Sequence, residues 1–388
     1  MEQKPMIPLI GGIAALIVAM GIGRFSFTPI LPMMMDKQLF STVGAGYLAS
    51  SNYLGYLLGA LVLTVIPLKR RSRLLIAGMI MSIVTTWGMG AVTGFAGWLV
   101  LRFMSGVASS IVFVVASSIV LERLSGVWTG IFYGGVGVGI LLTGVVVPLF
   151  ADYGQWMGAW KGLGLLSLVL GLLACYLLAE RQGIEKPSTN FHVKRPESVQ
   201  RILLSLMIAY GLEGLGYIVT GTYLVAYAKI SVNIENITSL SWMLVGLAAA
   251  PSCILWSLLA ARWGKKWTLT LTMILQSIGI AIPVIAPSSA TLLLGAVLFG
   301  ATFMGITTLT ISYAKDLYPL NNRRIIGLLT TIYGLGQMIG PVIAGVLISG
   351  RGSYDAALIG ASLIVLLGAV ILPLGIGRSD QMIVKPIG

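Results

Sequence analysis

The sequence predicts an all-α membrane protein of twelve transmembrane helices in two pseudo-symmetric six-helix bundles, and three observations carry that prediction. Hydrophobic residues fill 57% of the 388 positions and charged residues only 10%, a balance foreign to water-solvated domains. Apolar runs of about 20 residues, each able to cross a hydrocarbon core of about 30 Å, recur from one end of the chain to the other. Features of the first half then return in the second at an offset of about 190 to 200 residues, as a duplicated six-helix unit would leave them.

Taken in order, the spans fall at 6–34, 43–66, 74–94, 96–121, 126–149 and 156–179. The first begins as a signal peptide would, yet its apolar run continues past Met20 with no small-residue cleavage pattern, so it reads as a retained helix. The second ends at the basic run LKRRSR, and the fourth at Glu122. Between spans six and seven lies the one long polar stretch, so residues 1–179 form the first bundle, 180–201 a linker and 202–388 the second bundle. Spans 202–228, 241–261, 267–286, 290–314, 326–349 and 356–376 follow, with ARWGKK in the place of the earlier basic run.

Lysine and arginine set the orientation. Lys37, Lys229 and Arg351 are the ones in loops of one side, while the other side collects nearly all the rest. Positive charge is retained on the cytoplasmic side, so both termini are expected there, in a multi-pass protein of the inner (plasma) membrane. The net charge of +13 therefore points to loop placement rather than to nucleic acid, since no solvated domain gathers it on one face. Cys175 and Cys253 lie in spans of different halves, with neither ligand spacing nor a disulfide framework.

The repeat can be followed residue by residue. Gly106 and Glu122 on the fourth helix match Gly300 and Asp316 on the tenth. Gly135, Gly139 and Gly144 share their spacing with Gly336, Gly340 and Gly345, and AMGIGRFSF aligns with AYGLEGLGY. The run GGVGVG and the pairs Gly55/Gly59 and Gly336/Gly340 predict close helix packing, not a nucleotide loop, because they lie inside apolar spans.

On these residues the chain resembles the major facilitator superfamily over its full length. GIGRFSFTPILP and EGLGYIVTGTYL are similar to its YbfB/YjiJ branch in particular. The resemblance implies a secondary transporter working by alternating access about a central site. LRFMSGVASS carries the family's Arg-x-x-x-Gly pattern as Arg102 and Gly106, and Gly340-Pro341 stands on helix eleven. The family's loop between helices two and three holds an Asp that is absent from both basic runs here, with Ala261 at one such place. Glu122 and Asp316 are the expected substitutes, forming an inner gate with Arg70, Arg71, Lys265 and Lys266.

Ionisable groups deep in spans are few, and each costs roughly 3 kcal/mol or more to insert, so Arg24, Arg102 and Glu213 are candidates for function. The plainer reading is a structural role, which for Arg102 means bracing backbone carbonyls. Arg24 suits an anionic group. Glu213, with Arg102, is expected to serve proton coupling. Tyr210, Glu213, Tyr217 and Thr220 share one face of helix seven by their steps of three, four and three. Phe27, Asn52, Tyr56, Tyr133, Tyr217, Tyr333 and Gln337 complete the expected substrate-binding set with Arg24 and Glu213. Pro29 and Pro32 are expected to bend the outer half of helix one around a cavity.

The partners expected are a small organic solute, a proton or other coupling ion, and the lipid bilayer, with a monomer as the working unit and no cofactor or metal. Proton-driven export of cationic or amphipathic compounds is the alternative, with Glu213 as the recognition site. An enzyme is disfavoured, because neither H-E-x-x-H nor G-x-S-x-G occurs and no acidic cluster stands near a membrane surface. A non-transporting sensor or scaffold would need a signalling domain for which the linker leaves no room.

Overall fold

The computed structural model describes residues 6–65, 71–124, 126–178, 197–231, 235–318 and 322–375. Arg70 and most of the 180–201 linker lie outside them. The described residues form twelve helices: α1 Met6–Asp36, α2 Thr42–Val65, α3 Arg71–Met89, α4 Phe95–Leu121, α5 Val127–Ala151, α6 Gln155–Leu177, α7 Glu197–Ser231, α8 Glu235–Trp263, α9 Lys265–Ile285, α10 Ser289–Leu317, α11 Asn322–Arg351 and α12 Asp355–Leu374. Eleven are long and apolar enough to cross a membrane. The other, α2, covers the expected second span and carries Ser50, Ser51, Asn52, Tyr53 and Tyr56 in its middle turns.

The expected spans are extended most at the starts of α8, which begins at Glu235 rather than 241, and of α7, and α1 is interrupted. Helix α7 begins at Glu197, five residues before the expected start at 202, so its first turn is polar. Helix α1 breaks before its prolines rather than at them: Ile17–Ile22 is π-helical, residues 23–26 form a turn, and Phe27–Asp36 resumes as α-helix. Pro29 sits in the first turn of the resumed helix, where its missing N–H costs little. The wider turns upstream come from N–H groups that reach five residues back, Gly23 to Val18 at 2.8 Å and Phe25 to Met20 at 3.0 Å.

Small residues let the backbones touch, and they do so twice over. A β-carbon on Gly106 would overlap the Asn52 carbonyl of α2, and one on Gly300 would overlap the Val245 carbonyl of α8. Gly135 and Gly139 lie against Ile13, Ile17 and Gly21 of α1, while Gly336 and Gly340 lie against Gly211 and Leu215 of α7. The same two crossings thus recur in both halves, as a duplicated unit requires. Gly134 and Gly137 turn the other way, onto Ala250, and join α5 to α8. The α5–α8 and α2–α11 contacts form the main seam between the halves. The glycine pattern of the sequence is therefore helix packing throughout.

On the face poor in Lys and Arg, polar bonds cross that seam. Lys229 pairs with Asp36, Thr28 donates to the Gly221 carbonyl, and the Tyr223 hydroxyl lies 3.0 Å from the Thr42 carbonyl across the halves and 3.1 Å from the Pro341 carbonyl of its own half. On the basic face, Arg71 pairs with Glu122 and Lys265 with Asp316, each at 2.6 Å. Acids and basic runs thus meet as the sequence suggests. Each pair, however, joins neighbouring helices of one half, α3 to α4 and α9 to α10, so it braces its own bundle and does not itself span the seam. Lys266 lies 4.9 Å from the Trp267 ring. With Glu122 and Asp316 half exposed, each bridge contributes about 1 kcal/mol or less. The Glu122→Gln/Asp316→Asn double variant is expected to melt a few degrees lower, with cysteine accessibility unchanged on both faces.

Candidate functional site

The break in α1 exposes carbonyls that must be satisfied in a medium without water. Helix α4 supplies the donors from one face, at steps of three and four. Ser109 donates to Ala19 O at 2.6 Å, Ser105 to Gly23 O at 2.7 Å, and Arg102 to Gly23 O at 3.2 Å and to Arg24 O at 3.5 Å. Arg102 also donates to Leu48 O at 3.3 Å and lies over the Phe27 ring at 4.8 Å. Bracing is therefore what its geometry supports, rather than the proton coupling expected of it.

The brace also absorbs two residues expected at the substrate. Phe27 is the platform under Arg102, and the Asn52 amide donates to Arg102 O at 3.0 Å, across the α2–α4 crossing. Both are at most 2% exposed. Their positions on the helices were legible from the sequence; their direction, toward a neighbouring helix, was not.

Held by that frame, Arg24 points the opposite way, toward the second half. Its Nη2 donates to Gln337 Oε1 at 2.7 Å, and the Gln337 amide donates in turn to the Tyr217 hydroxyl. The guanidinium lies 4.3 Å from the Tyr56 ring centroid and 4.7 Å from that of Tyr53. Its Nε has no acceptor, and no carboxylate among the described residues forms an ion pair with it. Arg24 and Glu213 are thus not a salt-bridged pair. A guanidinium 3% exposed has been taken from water with the Gln337 bond and the rings of Tyr56, Tyr53 and Phe25 as compensation.

Around it the aromatic residues form a ladder. Tyr333 stacks on Tyr210 with centroids 4.2 Å apart and on Tyr217 at 5.5 Å, and Tyr217 continues to Phe303 at 5.9 Å and Phe299 at 6.3 Å. The shared face of α7 read from spacing is therefore real. Phe25 beside Arg24 meets Phe303 edge-on at 6.0 Å, closing the layer from the α1 side. Tyr56 and Tyr133 flank Phe113, at 6.5 Å and 5.8 Å, on the first half's side.

Glu213 is fully buried on the same face of α7. Its Oε1 accepts from Gln276 Nε2 of α9 at 3.1 Å, while Oε2 has no hydrogen-bond partner. The Tyr333 hydroxyl interacts with the same carboxyl. Gln276, Tyr53, Ser105, Ser109, Phe299 and Phe303 are members of this region that the sequence reading missed. Gln276 could have been found as the lone amide in the apolar run TMILQSIG, and Phe299 and Phe303 by their four-residue spacing.

Comparison with known proteins agrees with this architecture. The family model described as an uncharacterised MFS-type transporter YbfB matches residues 16–373. Among curated proteins, Protein SGE1 of Saccharomyces cerevisiae is 28% identical over 39% of this chain and 28% of its own length. An MFS-type transporter of Yersinia pestis is 24% identical over 40% of this chain and 42% of its own, and YcaD of Escherichia coli 28% over 43% and 45%. The matches thus span less than half the length of these curated relatives. A crystal structure of the nucleoside transporter NupG superposes with a TM-score of 0.73 at 13% identity, covering 96% of this chain and all of that one, a likeness of fold. With twelve helices among the described residues in two repeated halves and a family match over residues 16–373, the chain is a multi-pass membrane protein and belongs to the YbfB family of the major facilitator superfamily.

Proposed function

We propose that the protein moves a small organic anion across the cell's inner membrane by alternating access, with the two halves rocking about the layer that holds Arg24. The observation that carries this is the buried Arg24 guanidinium with no counter-charge paired to it among the described residues and an Nε without an acceptor. An incoming carboxylate, phosphate or sulfonate would supply the missing charge and accept from the planar fork of donors. Tyr53, Tyr56, Tyr217 and Gln337 are the side chains around that position, suited to an organic skeleton with a few orienting polar contacts. Glu213 lies in the same layer on α7 and serves as the proton-coupling group. The face with Lys229 and Asp36 is the outer one, and both termini are cytoplasmic.

Export of cations through Glu213 is the weaker alternative, because a buried carboxyl can become neutral by taking up a proton, whereas the Arg24 guanidinium keeps its charge and has no carboxylate paired with it among the described residues. A thermal-shift screen of purified protein against metabolite anions, each paired with its uncharged amide, tests the choice. An anion at a hundred times its Kd is expected to add about 2.7 kcal/mol of stability, and its amide none. Stabilisation confined to cationic compounds would reverse the assignment.

A further inference from the structure

Glu213 and Gln276 leave a matched pair of atoms open. Both side chains are fully buried, and one bond joins them, from the amide Nε2 to the carboxyl Oε1. What remains on each is one oxygen with no hydrogen-bond partner, Glu213 Oε2 and Gln276 Oε1. Two acceptors cannot bond each other. A carboxylate offers only acceptors, whereas an amide presents one donor end and one acceptor end, so the ionised pair always leaves the amide oxygen unanswered. Turning the amide over does not help, since its oxygen would then face the other carboxylate oxygen.

One proton resolves this. We propose that Gln276 is the positioning residue of the coupling site: it closes a two-bond acid–amide ring with protonated Glu213, with O–H donating to Gln276 Oε1 while Nε2–H donates to the other carboxyl oxygen. The proton is taken from water when the site opens to one side and returned to water on the other, and no other bond changes. This rests on the coupling role given to Glu213 above and adds the residue that holds the proton at a stated atom.

The groups around Glu213 are consistent with a neutral acid. Helix α11 presents the Tyr333 hydroxyl, α7 itself contributes Tyr210 and Tyr217, and α1 contributes Arg24, which reaches the layer through Gln337 and Tyr217. The Lys and Asp residues of α9, α10 and α12 stand at helix ends. No cation among the described residues is paired with the carboxyl.

Infrared difference spectroscopy of the purified full-length protein in lipid nanodiscs, titrated through neutral pH without substrate, tests the ring. The wild type is expected to show a protonated-carboxyl C=O band that Glu213→Gln removes. In Gln276→Met, a variant of similar size, the band is expected at higher frequency, because a carbonyl released from its hydrogen bond stiffens. Gln276→Asn, one methylene shorter, is expected to move it the same way and serves if the Met variant does not fold. Absence of any band lost in Glu213→Gln, or a band that neither Gln276 variant moves, would overturn the proposal. Because no ligand is present, failure here is distinct from failure of anion binding at Arg24.

Discussion

Arg24→Lys is expected to weaken an anionic ligand about ten- to a hundredfold, the value of one or two charge-assisted hydrogen bonds, and to leave the ligand-free melting temperature within a few degrees. The positive charge is kept, so the aromatic faces of Tyr53 and Tyr56 still hold it. What is lost is the fork. A guanidinium can donate to Gln337 with one edge and to a ligand with another, whereas an ammonium on a shorter reach cannot do both in one plane. A structural role for Arg24 predicts the opposite pattern, because its bond to Gln337 and the onward bond to Tyr217 cross from α1 to α11 and α7. Titration calorimetry and thermal melting on one purified preparation separate the two, and wild-type affinity with a lowered melting point would remove Arg24 from substrate contact.

Glu213→Gln is expected to abolish accumulation driven by a pH gradient while preserving exchange of substrate without net proton movement. The amide imitates the protonated acid in shape and in having both a donor and an acceptor, so it can pair with Gln276 and keep the α7–α9 contact intact. The variant is therefore locked in the proton-loaded form rather than unfolded. Uptake into proteoliposomes with and without an imposed gradient makes the comparison, and unchanged pH-dependent accumulation would exclude Glu213 from coupling.

Much of this architecture was written in one dimension. Apolar windows located the spans because the bilayer demands length and hydrophobicity from each helix separately. The repeated glycines marked the crossings, since only a missing side chain lets Gly106 approach Asn52 and Gly300 approach Val245. The acids Glu122 and Asp316 found their basic partners, yet within each half, because spacing along the chain says which residues share a helix end but not which bundle faces it. The start of α7 was missed because Glu197 and Arg201 lower its apolarity while leaving helix propensity intact.

The site divides in the same way. That Arg24, Glu213, Tyr217, Tyr333 and Gln337 belong to one layer was legible from position and period. Asn52 and Phe27 were read as facing substrate and Arg102 as a coupling residue, and the break in α1 is what turns them elsewhere, since its freed carbonyls recruit Arg102 and with it both neighbours. Prolines drew attention to the wrong turn of α1, whereas Gly21 and Gly23, pressed against α5 and α4, mark the place where the helix gives way. Gln276 carries no charge, so a search for ionisable groups passes over it.

Counterflow in proteoliposomes tests the central claim most directly: that a buried arginine with no carboxylate paired to it among the described residues selects an anion. With protein reconstituted and loaded with an unlabelled carboxylate found by thermal shift, external labelled carboxylate is expected to accumulate transiently, and the matching carboxamide is expected neither to enter nor to compete. Equal counterflow of acid and amide, or counterflow of cationic compounds alone, would contradict the account.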